Sequence, residues 1–117
     1  MVLVDTSVWI SHLRQTEPAL VKLLTDGQAL MHPFVCGELA CGTLKDRQRL
    51  LSDLAVLPAA KTASTYEALD LIERRRLSGL GLGWIDVHLL ASALLSHSRL
   101  WTLDKRLHAV ASQLKLT

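Results

Sequence analysis

The chain has 117 residues, half of them hydrophobic, and a formal net charge of +2. This length fits one domain over residues 1–117 with a core of its own, and the mild charge permits nucleic-acid binding without requiring it. Such a high apolar content in a small protein leaves a hydrophobic face for a partner or a second copy.

The two cysteines and the N-terminus exclude several protein classes. Cys36 and Cys41 form no Cys-x-x-Cys motif of a zinc ribbon or a thioredoxin, and both are predicted to be small core residues. The N-terminus lacks the basic region that opens a signal peptide, and the longest apolar stretch, residues 87–95, is too short to cross a bilayer. We therefore expect a cytoplasmic protein with no membrane segment.

Short strands alternate with helices along the chain. Apolar runs predict strands at residues 2–4, 29–31 and 100–103, and they allow a last short strand at 114–116. Helical spacing and turn residues predict helices at residues 7–14, 18–24, 33–41, 46–57, 62–77, 85–96 and 105–114. This alternation implies crossover connections. The predicted fold class is therefore α/β, a three-layer α/β/α domain with a mostly parallel central sheet and helices on both faces.

Two of these helices carry specific predictions of burial. The helix at residues 33–41 is apolar on nearly all sides, which predicts that it is buried. The helix at residues 62–77 is amphipathic, and its period places four large side chains on the inner face. These are Tyr66, Leu69, Ile72 and Leu77.

Four of the eleven acids lie in apolar sequence, whereas the other seven lie among polar neighbours. The four are Asp5, Glu38, Asp86 and Asp104. Burying a carboxylate in apolar surroundings lowers the stability of the fold by roughly several kcal/mol unless the charge is paired. Asp5, Asp86 and Asp104 each stand where a helix cap could stand, but Glu38 lies in mid-helix. No Arg or Lys lies in the apolar segments around Asp5 or Glu38.

A divalent cation would balance these charges. Asp5 and Asp104 each follow a strand directly, and parallel strands bring their carboxyl ends to one edge of the sheet. Mg²⁺ or Mn²⁺ relieves the repulsion between clustered carboxylates, prefers oxygen ligands and keeps several waters. A metal-bound water is acidic enough to attack phosphorus. An all-carboxylate site without histidine therefore favours phosphodiester chemistry.

The same residues form an ordered set of motifs. They are Asp5-Thr6-Ser7 after the first strand, Glu38-Leu39 in a helix, Asp86 leading into Leu89-Leu90-Ala91-Ser92-Ala93, and Thr102-Leu103-Asp104 after a late strand. Together they resemble the PIN domain, and most of all the VapC toxins of bacterial toxin–antitoxin pairs. The resemblance covers essentially the whole chain. It implies an Mg²⁺- or Mn²⁺-dependent endoribonuclease that cuts RNA, usually forms a homodimer, and is inhibited by a cognate VapB antitoxin.

The resemblance also implies roles for individual residues. Asp5 and Asp86 would ligate the principal metal ion, while Glu38 would orient or deprotonate the attacking water, or ligate through water. Asp104 would complete the acidic pocket, at a position that varies in the family. The family's extra polar position falls on Thr6 or Ser7, and we expect at least one of these hydroxyls to face the metal or the scissile phosphate.

Other features have simpler explanations. Gly79-Leu80-Gly81-Leu82-Gly83 lacks the spacing of a phosphate loop and is predicted to be a turn before Asp86. Arg74-Arg75-Arg76 ends a helix, where positive charge suits the helix dipole. The alternative is that these arginines contact RNA backbone or an acidic antitoxin segment. Trp9, Trp84 and Trp101 are predicted to be core residues, with partial exposure of Trp84 and stacking on a base as the alternative for that residue.

Two other functions fit parts of the pattern. A two-component receiver domain has a similar length and fold class, but it needs an acidic pair after the first strand, where this chain has Asp5 followed by Thr-Ser. A catalytically silent PIN fold that only binds a partner would have no reason to keep four acids in apolar sequence.

Overall fold

The computed structural model describes residues 1–117 and has a parallel sheet of three short strands. Strand β1 (Val2–Val4) lies at the centre, between β2 (Ala29–Leu30) and β3 (Arg99–Trp101). All the pairings are parallel, so the three strands end at the same edge of the sheet.

Seven helices surround this sheet. They are α1 (Thr6–Arg14), α2 (Pro18–Thr25), α3 (Pro33–Ala40), α4 (Arg47–Ala55), α5 (Thr65–Arg75), α6 (Trp84–Leu95) and α7 (Lys105–Gln113). The predicted class, a three-layer α/β/α fold with a parallel central sheet, is confirmed. None of the helices combines the length and the apolar character that a membrane span requires.

The core forms around β1 and α6. Every residue of β1 is buried, and α6 contributes Leu89 and Leu90, neither of which is exposed. Helix α6 contacts both β1 and β3 and is buried without a break from Val87 to Ala93. Burying one such leucine contributes about 2 kcal/mol, and these side chains fix the start of α6 against the end of the sheet.

The predicted last strand at residues 114–116 is not a strand. Lys115 has a φ of 60°, and Leu116 N–H donates back to the Ala111 carbonyl, which ends α7 with a left-handed turn. The Leu116 carbonyl accepts one hydrogen bond, of 2.7 Å, from Leu100 N–H. The turn occupies the backbone N–H groups that a strand would use for pairing. This segment therefore makes a single hydrogen bond to β3.

The burial predictions for two helices are partly wrong. Helix α3 buries Val35 and Leu39 but exposes its other face, and its main packing partners are α1 and α4. In α5, Tyr66 is 78% exposed and Leu69 is 51% exposed. In α5 the small residue Ala68 is fully buried, Leu71 and Ile72 are partly buried against the core, and the helix packs on α6.

The cysteines and tryptophans also divide between core and surface. Cys41 is exposed because it lies at the C-cap of α3, beyond its buried turn, and Cys36 is half-buried. Trp9 is buried as predicted, whereas Trp84 is 42% exposed at the start of α6. The core prediction is therefore wrong for Cys41 and Trp84, and the alternative of partial exposure is right for Trp84.

Candidate active site

Asp5 lies at the edge of the sheet where the strands end. Its N–H donates to the Trp101 carbonyl at 2.9 Å, which extends the β1–β3 pairing by one residue. Its Oδ2 accepts hydrogen bonds from Ser7 Oγ and Thr102 Oγ1, both at 2.7 Å. The residue is 7% exposed. Two hydroxyl donors therefore orient a nearly buried carboxylate from one side and engage only one of its oxygens.

Glu38 reaches this edge from α3. Its Oε1 accepts a hydrogen bond of 2.6 Å from Thr6 Oγ1, the buried first residue of α1. Because Thr6 follows Asp5 directly, this bond ties the Glu38 carboxylate to the end of β1. Both hydroxyls that follow Asp5 in the sequence thus donate to acids, Thr6 to Glu38 and Ser7 to Asp5.

Asp86 occupies the first turn of α6, where its Oδ2 accepts a 2.9 Å hydrogen bond from Gly83 N–H. Burial raises the pKa of the Asp86 carboxyl above its ordinary value, although the Gly83 N–H acts in the opposite direction. The negative charges of the other acids, Asp5, Asp104 and Glu38, raise this pKa further. All four acids of the apolar segments therefore share one electrostatic neighbourhood around Asp86.

Asp104 is both a helix cap and a member of this acidic group. Its Oδ1 accepts from Leu107 N–H at 3.0 Å and caps α7, which is the role that its position before a predicted helix allowed. Its own N–H donates to Thr102 Oγ1 at 3.0 Å. Thr102 thus connects the backbone of Asp104 to the carboxylate of Asp5.

No cation of the protein neutralises these acids. The two ion pairs join Lys22 to Asp26 and Arg74 to Asp70, and neither involves the acidic group. No three His, Cys, Asp or Glu side chains are arranged as a complete metal cage. The available donors are carboxylate and hydroxyl oxygens, which suits a hard divalent cation that takes few protein ligands and keeps several waters.

Two neutral histidines connect the helices that carry Glu38 and Asp86. His32 caps α3, because its Nδ1 accepts from Phe34 N–H at 2.9 Å. Burial, with a smaller effect of His88, lowers the pKa of His32 to about 4. On α6, the His88 ring makes edge contacts with the rings of Phe34 and Trp84, with ring centroids 4.9 and 4.6 Å away. Burial lowers the pKa of His88 as well.

The predicted arginine contacts lie on α5. Arg74 pairs with Asp70 at 2.8 Å, and Arg74 and Arg75 line a groove beside Ala91 of α6. Arg76 ends α5 with a left-handed φ of 55°. No contact connects the three arginines to the four acids, and Asp70 already occupies the Arg74 guanidinium.

Thr102 belongs to a motif named from the sequence, Thr102-Leu103-Asp104, but no role in the site was predicted for it. It follows the end of β3 as Asp5 follows the end of β1, and Val4 lies opposite Trp101 in the sheet. A hydroxyl residue one position beyond a strand that pairs with β1 was therefore the available signal. This signal could not be used from the sequence alone, because it depends on the register between two strands that lie far apart in the chain.

Comparison with known proteins agrees with this fold. A family model described as the PIN domain matches residues 2–113, and the chain belongs to the PIN-domain family. "Ribonuclease VapC32" of Mycobacterium tuberculosis (strain CDC 1551 / Oshkosh) is 50% identical over 114 residues, which are 97% of this chain and 92% of that protein. The protein of the same name from strain ATCC 25618 / H37Rv matches with the same identity and coverage. The resemblance to VapC-like PIN-domain proteins is confirmed.

Proposed function

We propose that this protein is a divalent-metal-dependent endoribonuclease that acts as the toxin of a toxin–antitoxin pair. The observation that carries the proposal is the group of four carboxylates around Asp86, none of which is paired with a cation of the protein. The 50% identity to proteins named ribonuclease VapC32 supports RNA as the substrate. Mg²⁺ is the preferred cofactor in this proposal, with Mn²⁺ as its substitute.

Each of the four acids has a separate role in this mechanism. Asp5 and Asp86 would hold the metal ion, which would make a bound water more acidic and offset charge on the phosphate oxygens. Glu38, oriented by Thr6, orients the attacking water or takes its proton. Asp104 adds negative charge to the pocket while its Oδ1 keeps α7 capped. Ser7 and Thr102 hold Oδ2 of the Asp5 carboxylate, which would leave its other oxygen to bind the ion.

The experiment compares RNA cleavage by the wild type, Asp5→Asn and Asp53→Asn, each with Mg²⁺ or Mn²⁺ and with or without EDTA. Asp53→Asn is the matched control, because it removes a carboxylate from an exposed position of α4. We expect cleavage by the wild type and Asp53→Asn only with metal, and a loss of about 100-fold or more in Asp5→Asn. Equal cleavage by Asp5→Asn and the wild type would refute the proposal.

The proposed partners are an RNA substrate, a VapB-like antitoxin and a second copy of the chain. A groove of about 430 Å³ runs from Glu38 between α1 and α3 towards α4. Leu13 and Leu39 supply apolar surface in this groove, and Arg14 and Lys45 supply positive charge. An antitoxin segment with apolar and acidic side chains would fit this lining and would cover Glu38.

The silent PIN fold is the second candidate, and the receiver domain no longer fits a chain of the PIN family. A silent fold agrees with the absence of a complete three-ligand cage. The two candidates differ in their response to metal. Titration with Mg²⁺ or Mn²⁺ should stabilise an active nuclease against thermal unfolding, whereas unchanged stability and no RNA turnover would favour a binding module.

A further inference from the structure

Arg106 lies across the glycine turn that precedes α6. A Cβ atom placed on Gly81 would come within 2.8 Å of Arg106 Cδ and Nη1, and within 3.1 Å of Nε. The end of the Arg106 side chain therefore lies directly on Gly81, and a side chain at position 81 would displace it. Gly81 also has a φ of +78°, which only glycine adopts without strain.

This contact connects the starts of the two helices that carry Asp86 and Asp104. Arg106 belongs to the first turn of α7, two residues after Asp104. Gly81 lies two residues before Gly83, whose N–H donates to Asp86. The charge of Asp104 affects the pKa of Asp86, so these two helix starts are close together. Arg106 thus lies at the rim of the acidic group.

Arg106 keeps its charge and its donors available. It takes part in neither ion pair of the protein, and its side chain is exposed. Neither ion pair joins Arg106 to Asp5, Glu38, Asp86 or Asp104. An exposed guanidinium at the rim of an acidic site, in no ion pair with its carboxylates, is placed to meet an anion that approaches from outside.

We propose that Arg106 is a substrate-binding residue that contacts a phosphate of the RNA beside the scissile one, and that Gly81 positions it. The proposal rests on the proposed ribonuclease function. Its chemistry is general, because a guanidinium binds phosphate oxygens in a bidentate geometry and a neighbouring phosphate needs a cation to approach four carboxylates. Lysine would supply the charge but not the paired donors.

The first test measures binding of a fluorescent single-stranded RNA in EDTA, which prevents metal-dependent cleavage. We compare the wild type with Arg106→Gln, Arg106→Lys and the control Arg99→Gln, which removes the same charge from the start of β3, at the opposite edge of the sheet. Arg106→Gln should weaken binding about tenfold and reduce the slope of log affinity against log salt by about 0.7. Arg106→Lys should restore the slope but only part of the affinity.

The second test keeps the charge and changes its position. Gly81→Ala should displace Arg106 and weaken RNA binding as Arg106→Gln does, at an unchanged net charge. Gly79→Ala is its matched control, because Gly79 has a φ of +77° but no atom within 4 Å of the added Cβ. Both variants carry similar backbone strain, so their thermal stabilities should fall together while only Gly81→Ala loses RNA affinity.

The outcomes separate this proposal from the ribonuclease function. If Arg106→Gln binds RNA as Arg99→Gln does, or if the wild type binds no RNA, the role of Arg106 is refuted even where cleavage is observed. If Arg106→Gln loses affinity but the wild type never cleaves RNA with Mg²⁺ or Mn²⁺, the proposed catalysis fails and the role of Arg106 in binding stands.

Discussion

Thr102 donates a 2.7 Å hydrogen bond to the carboxylate of Asp5, although 97 positions separate the two residues. The pairing of β1 with β3 produces this contact. Val4 lies opposite Trp101, so the next residue of each strand emerges at the same edge of the sheet. The strand register therefore positions the first acid of the candidate site and one of its two hydroxyl donors.

Replacing Thr102 with valine should destabilise the protein and disturb the site. Valine has the same branched shape, but it removes the donor to Asp5 and the acceptor for Asp104 N–H. We expect the free energy of unfolding to fall by about 1–3 kcal/mol and RNA cleavage to decrease. Denaturant unfolding measures the first effect. Thr16→Val, at an exposed position outside the helices, is the control, and equal stability of the two variants would contradict the prediction.

The hydrogen bond between Thr6 and Glu38 should couple the two residues energetically. Its donor and acceptor are 2.6 Å apart and join α1 to α3. In a double-mutant cycle with Thr6→Val and Glu38→Gln, we expect a coupling energy of about 0.5–3 kcal/mol in unfolding experiments. Cleavage should be no lower in the double variant than in Glu38→Gln alone, because Thr6 acts through Glu38. Additive losses in both measurements would show that Thr6 acts independently.

The elements of the fold could be predicted because their signals are local. Val2–Val4 is wholly apolar and stops at an acid, and parallel strands share one carboxyl edge, which places Asp5 and Asp104 near each other. The apolar sequence around Asp86 likewise predicted a helix at residues 85–96, and α6 spans Trp84–Leu95.

The features that the sequence did not reveal depend on tertiary contacts. Ala68, rather than the larger Tyr66, is the buried residue of α5, because tertiary packing sets which face of the helix is covered. Thr102 reaches Asp5 through a strand register, and Arg106 lies on Gly81 through a contact between two helix starts. None of these relationships has a signature in the spacing of residues along the chain.

Removing the charge of Asp86 should stabilise the metal-free protein and abolish its activity. A carboxyl whose pKa is raised by folding favours the folded state at low pH, and this contribution is lost as the pH rises through that pKa. At neutral pH the ionised Asp86 therefore destabilises the metal-free fold. Asp86→Asn removes the charge, and its amide oxygen can still accept from Gly83 N–H, so its thermal midpoint in EDTA should exceed that of the wild type.

Addition of Mg²⁺ should then reverse the order of the two thermal midpoints, so that the wild type becomes more stable than Asp86→Asn. At 100 times its Kd, Mg²⁺ should stabilise the wild type by about 2.7 kcal/mol and have little effect on Asp86→Asn. Differential scanning fluorimetry with and without Mg²⁺ measures both effects. Asp70→Asn, which removes an acid on α5, should respond to Mg²⁺ as the wild type does. A wild-type midpoint that does not move with Mg²⁺ or Mn²⁺ would contradict the metal site.

Acidification should destabilise the protein through His32. The pKa of this residue is about 4 in the folded protein against an ordinary value of 6.5, so between these values the unfolded chain binds more protons. Stability should therefore fall as the pH decreases from about 6.5 to about 4, by up to about 3 kcal/mol. Protonation would also remove the Nδ1 acceptor that caps α3, the helix that carries Glu38. His32→Asn should flatten the pH dependence of denaturant unfolding, because asparagine caps a helix without titrating. His108→Asn, at an exposed position of α7, should retain the dependence, and an equal slope in all three proteins would exclude His32 as its source.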